Sequence, residues 1–171
     1  MIDQEGFTPT PIPAEAKELL HYNPVNGNMT WKVHRNGNAL AGDPAGWVEN
    51  ERYRIELLGK VYLAHRVAYF IHTGKQPPRF LDHIDGNSLN NKFDNLRVAT
   101  RRQNNRNKGL YSNNTTGSKG VTYCAESGKY RARAGLNGRK VHLGRYDTIE
   151  EASKAYEEFT KRAYGDYFRP V

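Results

Sequence analysis

The chain is poor in sulfur. Its 171 residues include one cysteine, Cys124, and two methionines, which excludes an intrachain disulfide and any zinc centre built from several cysteines. The lack of cysteine pairs fits a reducing cytoplasm. Long apolar runs are missing too. No stretch reaches the ~20 residues that a bilayer-spanning helix needs, so no membrane partner is expected. Residues 1–13 are acidic, contain proline and lack the apolar core of a secretory signal; they read as a short flexible lead. Acid is the scarcer charge: 18 Asp and Glu stand against 26 Lys and Arg, a net +8. That balance points to a polyanion, nucleic acid above all, with a basic but inert surface as the bland alternative.

The length allows one to two small domains, and the pattern predicts an α+β chain. Pro13 suits a first helical position, and Ala16, Leu19 and Leu20 share a face, so a short helix is expected from Pro13 to Tyr22, stopped by Asn23-Pro24. Strand-like pieces follow: Met29 to Val33, a pair over Trp47 to Leu58 turning at Glu49-Asn50-Glu51, and Val61 to Leu63 after the Gly59-Lys60 turn. Ala64 to Thr73 reads as a helix ended by Gly74. Phe80 to Ile84 is a strand, Asp85 to Asp94 a polar loop, and Leu96 to Ala99 a second strand. Thr100 and Gln103 form a capping box that opens a helix near Arg101.

From 101 to 119 there are five Lys and Arg and no acid, a linker composition expected to follow phosphates. The pattern then resets. Val121 to Cys124, Lys129 to Ala134 and Arg139 to Tyr146 predict three strands, with Asn137-Gly138 as a strong hairpin signal. Thr148 to Glu151 is a second capping box, opening a helix with Ile149, Ala152, Tyr156, Phe159 and Ala163 on one face. The expected division is 1–24 lead and short helix, 25–107 catalytic domain with its preceding strands, 108–119 basic linker, and 120–171 a second module.

The chemistry concentrates in Asp82-His83-Ile84-Asp85-Gly86-Asn87, with Asn95 and Asn104 further on. A carboxylate and an amide oxygen, from Asp82 and Asn104, suit a hard divalent cation such as Mg²⁺ or Mn²⁺. His83 can take a proton from water near neutral pH. It needs its other ring nitrogen fixed, and Asn95 is the expected orienter through its side-chain carbonyl. Together these predict phosphodiester cleavage. Adjacent strand residues face opposite ways, so Asp82 and His83 can share a phosphate only if the strand ends or twists there, as Asp85-Gly86 allows. The bland reading makes Asn87, Asn90, Asn91 and Asn95 builders of Asx-turns. His65, His72 and His21 are weaker candidates; His65 beside Arg66 could support the site.

Ala64-His65-Arg66, the Asp82 to Asn87 run, Asp94-Asn95-Leu96-Arg97, Ala99-Thr100 and Gln103-Asn104 resemble HNH endonucleases of the phage and homing type. The resemblance spans roughly residues 61 to 108. It implies a ββα-metal fold, with Asp82 and Asn104 as the metal pair, His83 as general base and Asn95 as the asparagine that positions it. It falls in the branch without structural zinc. Gly120-Val121, Gly128-Lys129-Tyr130, Val141 to Tyr146, Glu150-Glu151-Ala152 and Ala155-Tyr156 resemble an AP2 DNA-binding domain, which implies a three-stranded sheet laid in the major groove.

Strand parity independently collects Lys129, Arg131, Arg133, Lys140 and His142 on one side of that sheet, near Thr122. With Arg97, Arg101, Arg102, Arg106, Lys108 and Lys119, these are the expected contacts to double-stranded DNA. The expectation is a Mg²⁺-dependent DNA endonuclease in a bacterial or phage-infected cytoplasm. As a monomer it would nick; a dimer would be needed to cut both strands. The rivals are a DNA-binding regulator that keeps an inactive nuclease fold, and a structural-RNA-binding protein.

Overall fold

The structure, a computed structural model, describes residues 9–35, 39–110 and 112–167, the side chain of Asp166 excepted. The first eight residues of the expected lead lie outside the described residues. The chain divides into two compact units, Met1–Thr100 and Arg101–Val171. Among the described residues the elements are mixed α and β, with four small antiparallel sheets.

In the first unit the expected helix over Pro13–Tyr22 is cut to one turn, α1 (Ala16–Leu19). Leu20–Tyr22 becomes strand β1 instead, paired with β2 (Met29–Trp31). The local helical periodicity loses to tertiary burial: as a strand, Leu20 and Tyr22 both enter the core while His21 faces out. The turn between them uses Gly27 at φ 80°, where a Cβ would lie 2.7 Å from the backbone carbon of Asn91.

β3 (Trp47–Glu49), β4 (Arg52–Leu57) and β5 (Lys60–Leu63) form a meander. Asn50 and Glu51 turn its first hairpin with positive φ at both positions, as a primed two-residue turn requires. α2 (Ala64–Thr73) follows directly and ends at Gly74 in the left-handed conformation, as the sequence indicates. It buries Ala64, Val67, Ala68 and Phe70 against Ile55, Leu57, Leu20 and Trp31 in one core. β6 (Leu81–His83) and β7 (Leu96–Val98) make a short hairpin across a long loop that includes a 3₁₀ turn at Phe93–Asn95.

The second unit opens with α3 (Arg101–Asn107). The expected linker after it is partly built. Asn114 Oδ1 accepts from the Thr116 and Gly117 N–H groups at 3.1 and 2.8 Å, and Asn114 Nδ2 donates to Ser118 O at 2.9 Å. Strands β8 (Val121–Cys124), β9 (Lys129–Leu136) and β10 (Arg139–Tyr146) form a sheet with β9 in the centre. α4 (Ile149–Tyr164) lies on it, capped by Thr148, whose hydroxyl accepts from Glu151 N at 3.2 Å. The fully buried core is small: Val121, Ala132 and Ala152, flanked by Tyr130, Leu143 and Tyr146. The buried stripe of α4 is rotated from the expected one, because Thr160 and Tyr164 are buried while Phe159 and Ala163 are only half-buried. Thr160 enters the core because its hydroxyl is satisfied within the helix, on Tyr156 O at 2.7 Å.

Candidate active site and nucleic-acid interface

β6 ends at the chemistry. All three of its residues, Leu81, Asp82 and His83, are buried, so both polar side chains need partners inside the protein. Asp82 faces Arg97 across the hairpin. Arg97 donates to Asp82 Oδ2 through Nε at 3.1 Å and Nη2 at 3.0 Å, with both side chains nearly out of solvent. The expected DNA contact of Arg97 is therefore directed inward, onto the carboxylate, because register places the two residues opposite each other.

His83 Nε2 meets Asn91 Oδ1 at 3.2 Å. The Asn91 amide nitrogen is turned to Leu89 O, so the oxygen faces the ring. An amide oxygen can only accept, which puts the ring proton on Nε2 and the lone pair on Nδ1. The side-chain carbonyl of Asn95, expected at this ring, accepts the Asp85 N–H at 3.0 Å instead. Asn95 Nδ2 donates back to Asp85 Oδ1 at 2.9 Å and to Asn90 O at 2.8 Å. Asn95 thus closes the loop that carries Asn91. Asn90 and the Asn87 N–H complete the Asp85 carboxylate at 2.7 and 2.8 Å. The Asx-turn reading holds for Asn87, whose side chain accepts from Leu89 N at 3.0 Å. Burial pushes the Asp85 carboxyl up, but hydrogen bonds from Asn90, Asn95 and the Asn87 N–H outweigh it and hold the group below its ordinary range.

The His65 ring packs edge-on against His83, centroids 4.9 Å apart at 72°. Burial, with His83, Arg66 and Arg52 adding to it, pushes His65 down to about 3. Burial also lowers His83, against the opposing Asn91 contact and the carboxylates of Asp85 and Asp82; the charge of Arg52 lowers it further. Both imidazoles are therefore neutral near pH 7, the state a general base needs. Arg52 is brought close by its hairpin, since Ser88 Oγ of the site loop donates to Glu51 O.

The N-terminal hairpin buttresses the same loop. Tyr22 OH donates to Asn91 O at 2.7 Å in a buried bond, and Phe93 N donates to Pro24 O at 2.9 Å. Arg66 fixes the entry to β6 by donating to Pro78 O at 2.9 Å and Pro77 O at 3.2 Å. Sequence reasoning missed Asn91 and Arg52. The Asn90-Asn91 doublet was a faint signal for the first; Arg52 had none.

In the second unit Thr122, Lys140, His142 and Arg145 are exposed, and Lys129, Arg131 and Arg133 half-buried. Register places Arg131 between Thr122 and Arg145, and Arg133 opposite His142. Arg145 was not expected there. A bulge between His142 and Gly144 shifts the parity of β10, turning Arg145 to the Arg131 side and Tyr146 to the core. Gly144, inside a strand pattern, is the residue that signals it. Arg101, Arg102, Arg106 and Asn104 stand on α3, with Lys108 and Lys119 beyond it.

Residues 62–106 match the family model for HNH endonuclease. The uncharacterized HNH endonuclease L560 of Acanthamoeba polyphaga mimivirus is 38% identical over 149 residues, covering 86% of this chain and 69% of that protein. The chain belongs to the HNH endonuclease family. Protein 3.8 of Escherichia phage T7 is 31% identical over 90 residues, 53% of this chain and 74% of its own length. No solved structure matches the chain. This HNH endonuclease is accordingly a hydrolase that acts on nucleic acid.

The family implies a divalent metal. Among the described residues no group of three or more His, Cys, Asp and Glu is placed to hold an ion. The site offers one buried carboxylate whose geometry Arg97 fixes. A single hard oxygen donor of this kind fits a small divalent ion that keeps several waters and completes its shell with substrate phosphate.

Proposed function

We propose that this HNH endonuclease nicks double-stranded DNA, with His83 as general base and Mg²⁺ or Mn²⁺ as its ion. The observation that carries the reading is the buried His83 ring, neutral and held in one tautomer by Asn91, next to a carboxylate clamped by Arg97. Asp82 would be the protein's carboxylate ligand to the ion. Asn104, in the first turns of α3, is the second ligand that the resemblance assigns, and its part rests on that resemblance. The ion, when bound, supplies positive charge to the phosphorus oxygens and the leaving oxygen.

His83 Nδ1 accepts a proton from the attacking water as the new P–O bond forms and the P–O3′ bond breaks; the 3′ oxygen then takes a proton from solvent. Asn95 holds the loop that holds Asn91, and is a positioning residue. The order β6, loop, β7, α3 supports the ββα-metal assignment.

The second unit is the reader in this proposal, an AP2-like domain. Its three-stranded sheet on one helix supports that, as does the outward row of Arg131, Arg133, Lys140, His142 and Arg145. Lys108, Lys119 and the α3 arginines add phosphate contacts.

The test is conversion of supercoiled plasmid to open circle with Mg²⁺, with EDTA, and with His83→Ala. Nicking that needs the ion and falls by about 10²–10⁴-fold in the variant, with DNA binding retained, supports the reading. Plasmid left intact with either Mg²⁺ or Mn²⁺ overturns it.

A further inference from the structure

The second unit holds a cavity that the cleavage chemistry does not use. It lies among α3, the turns after it, the β9–β10 hairpin and the flank of α4, with a volume of about 470 Å³. Pockets of roughly 300–1,000 Å³ take small molecules and cofactors, so this one is far larger than a single inorganic ion requires. Arg102, Arg106, Lys108 and Lys119 line it, and among the described residues no carboxylate does. Arg102, Arg106 and Lys108 repel one another across it, and an anion between them relieves that repulsion.

The cations are placed by the fold. Lys119 Nζ donates to Arg106 O at 3.2 Å. The Arg106 guanidinium lies 4.2 Å from the centroid of the Tyr164 ring, and the Tyr164 hydroxyl is tied to Gly135 O at 2.7 Å. The remaining wall is of a different kind. Gly109, Gly135 and Gly138 leave bare backbone that a ligand can approach closely, while Gly120 is packed under the Tyr156 ring; Tyr156 and Tyr164 add aromatic surface. Guanidinium and ammonium groups select phosphate; the glycine and tyrosine walls leave room for a sugar and a base.

We propose that this pocket binds a phosphate-bearing nucleotide. The nucleotide is either one unit of a DNA strand or a free nucleotide; the first case deepens the DNA-directed reading above and rests on it.

The test uses the full chain, ¹⁵N-labelled, and follows the amides of Gly109, Gly120, Gly135 and Gly138. It is titrated separately with deoxyadenosine monophosphate, inorganic phosphate and a short DNA duplex. The nucleotide is expected to shift these amides and to bind at least about tenfold more tightly than inorganic phosphate. A duplex that shifts the same amides identifies the strand as the source; a duplex that leaves them still identifies the free nucleotide. Arg102→Glu with Lys108→Glu, both exposed side chains, removes the shifts. Lys60→Glu with Lys75→Glu, the same charge change on exposed residues of the first unit, does not.

Amides unmoved by both nucleotide and duplex overturn the proposal. Inorganic phosphate matching the nucleotide means an adventitious ion only and overturns it as well, as does equal loss in the two charge variants. A protein that nicks plasmid while these amides stay silent loses the pocket and keeps the nuclease; one that binds the nucleotide and never nicks does the reverse.

Discussion

The two units hold their charged groups in opposite ways. In the first, Asp82 and Arg97 form an ion pair with side chains only 8% and 12% exposed, and His83 is buried between an amide and a second imidazole. In the second, Lys140, His142 and Arg145 stand out in solvent, placed by strand register alone. A group that must meet a reacting phosphate benefits from being fixed beforehand, and burial with complete hydrogen bonding fixes it. A group that must find and leave DNA gains from exposure and low desolvation cost. Substitutions should therefore cost stability in the first unit and affinity in the second.

The sharpest way to break that contrast is Arg97→Ala. It leaves Asp82 buried without its guanidinium, which should cost about 3–5 kcal/mol of stability, read as a fall in Tm or in the denaturant midpoint. Arg145→Ala is the counterpart. It should leave stability unchanged while weakening site binding by about 1–3 kcal/mol if it reads a base. Equal stability losses in the two variants, measured by denaturant titration, would erase the distinction.

Next in size is Gly27→Ala. The residue sits at φ 80° with a would-be Cβ 2.7 Å from the Asn91 and Lys92 backbone. The strain should cost about 1–3 kcal/mol, and the push on Asn91 should lower the cleavage rate while DNA affinity holds. Unchanged single-turnover rates would mean the N-terminal hairpin supports the fold and not the site.

Much of this arrangement was legible in the sequence, for reasons that differ by element. α2 is readable because its apolar spacing and Gly74 agree with its burial. The β6 and β7 strands and the Asp82-His83 pair were visible because local pattern and chemistry coincide there. α1 was overread because Leu20 and Tyr22 fit a helical face locally, and only the distant pairing with Met29 and Trp31 decides otherwise. Asn91 and Asn95 are the same residue type in one loop; which of them reaches His83 depends on loop closure by Asp85, a three-dimensional fact. Arg145 was hidden by a bulge that alternation cannot foresee.

pH sharpens the contrast further. His65 is pushed down to about 3 in the fold but is expected near 6.5 when unfolded. Between those values the unfolded chain binds a proton that the folded one refuses. Stability from this group is thus full above about pH 6.5 and declines as pH falls toward 3. His65→Gln should flatten that part of the curve of Tm against pH. His83, also lowered, should give a cleavage rate that is flat above its ordinary value and drops only at more acidic pH. Arg52→Ala removes a charge that lowers both groups, so the acid limb of the rate should move to higher pH. An acid limb that stays in place would mean that the Arg52 charge does not reach the base.

The smallest effect is expected on the sheet. Lys129 pairs with Asp147 at 3.0 Å, but the two side chains are 45% and 78% exposed. Such a pair contributes about 0–1 kcal/mol, so Asp147→Asn should leave Tm nearly unchanged. Its effect on binding is a separate matter. Asp147 competes with DNA phosphate for the Lys129 ammonium, and removing that competitor from a basic surface should raise duplex affinity a few-fold at low salt, the gain fading as ionic strength rises. The same substitution would weaken binding only if Asp147 held Lys129 in the geometry that DNA needs, which would make this exposed pair as preorganised as the buried one in the first unit. Fluorescence anisotropy over a salt series separates the two outcomes, and the sign of the change decides whether exposure or fixation governs the sheet.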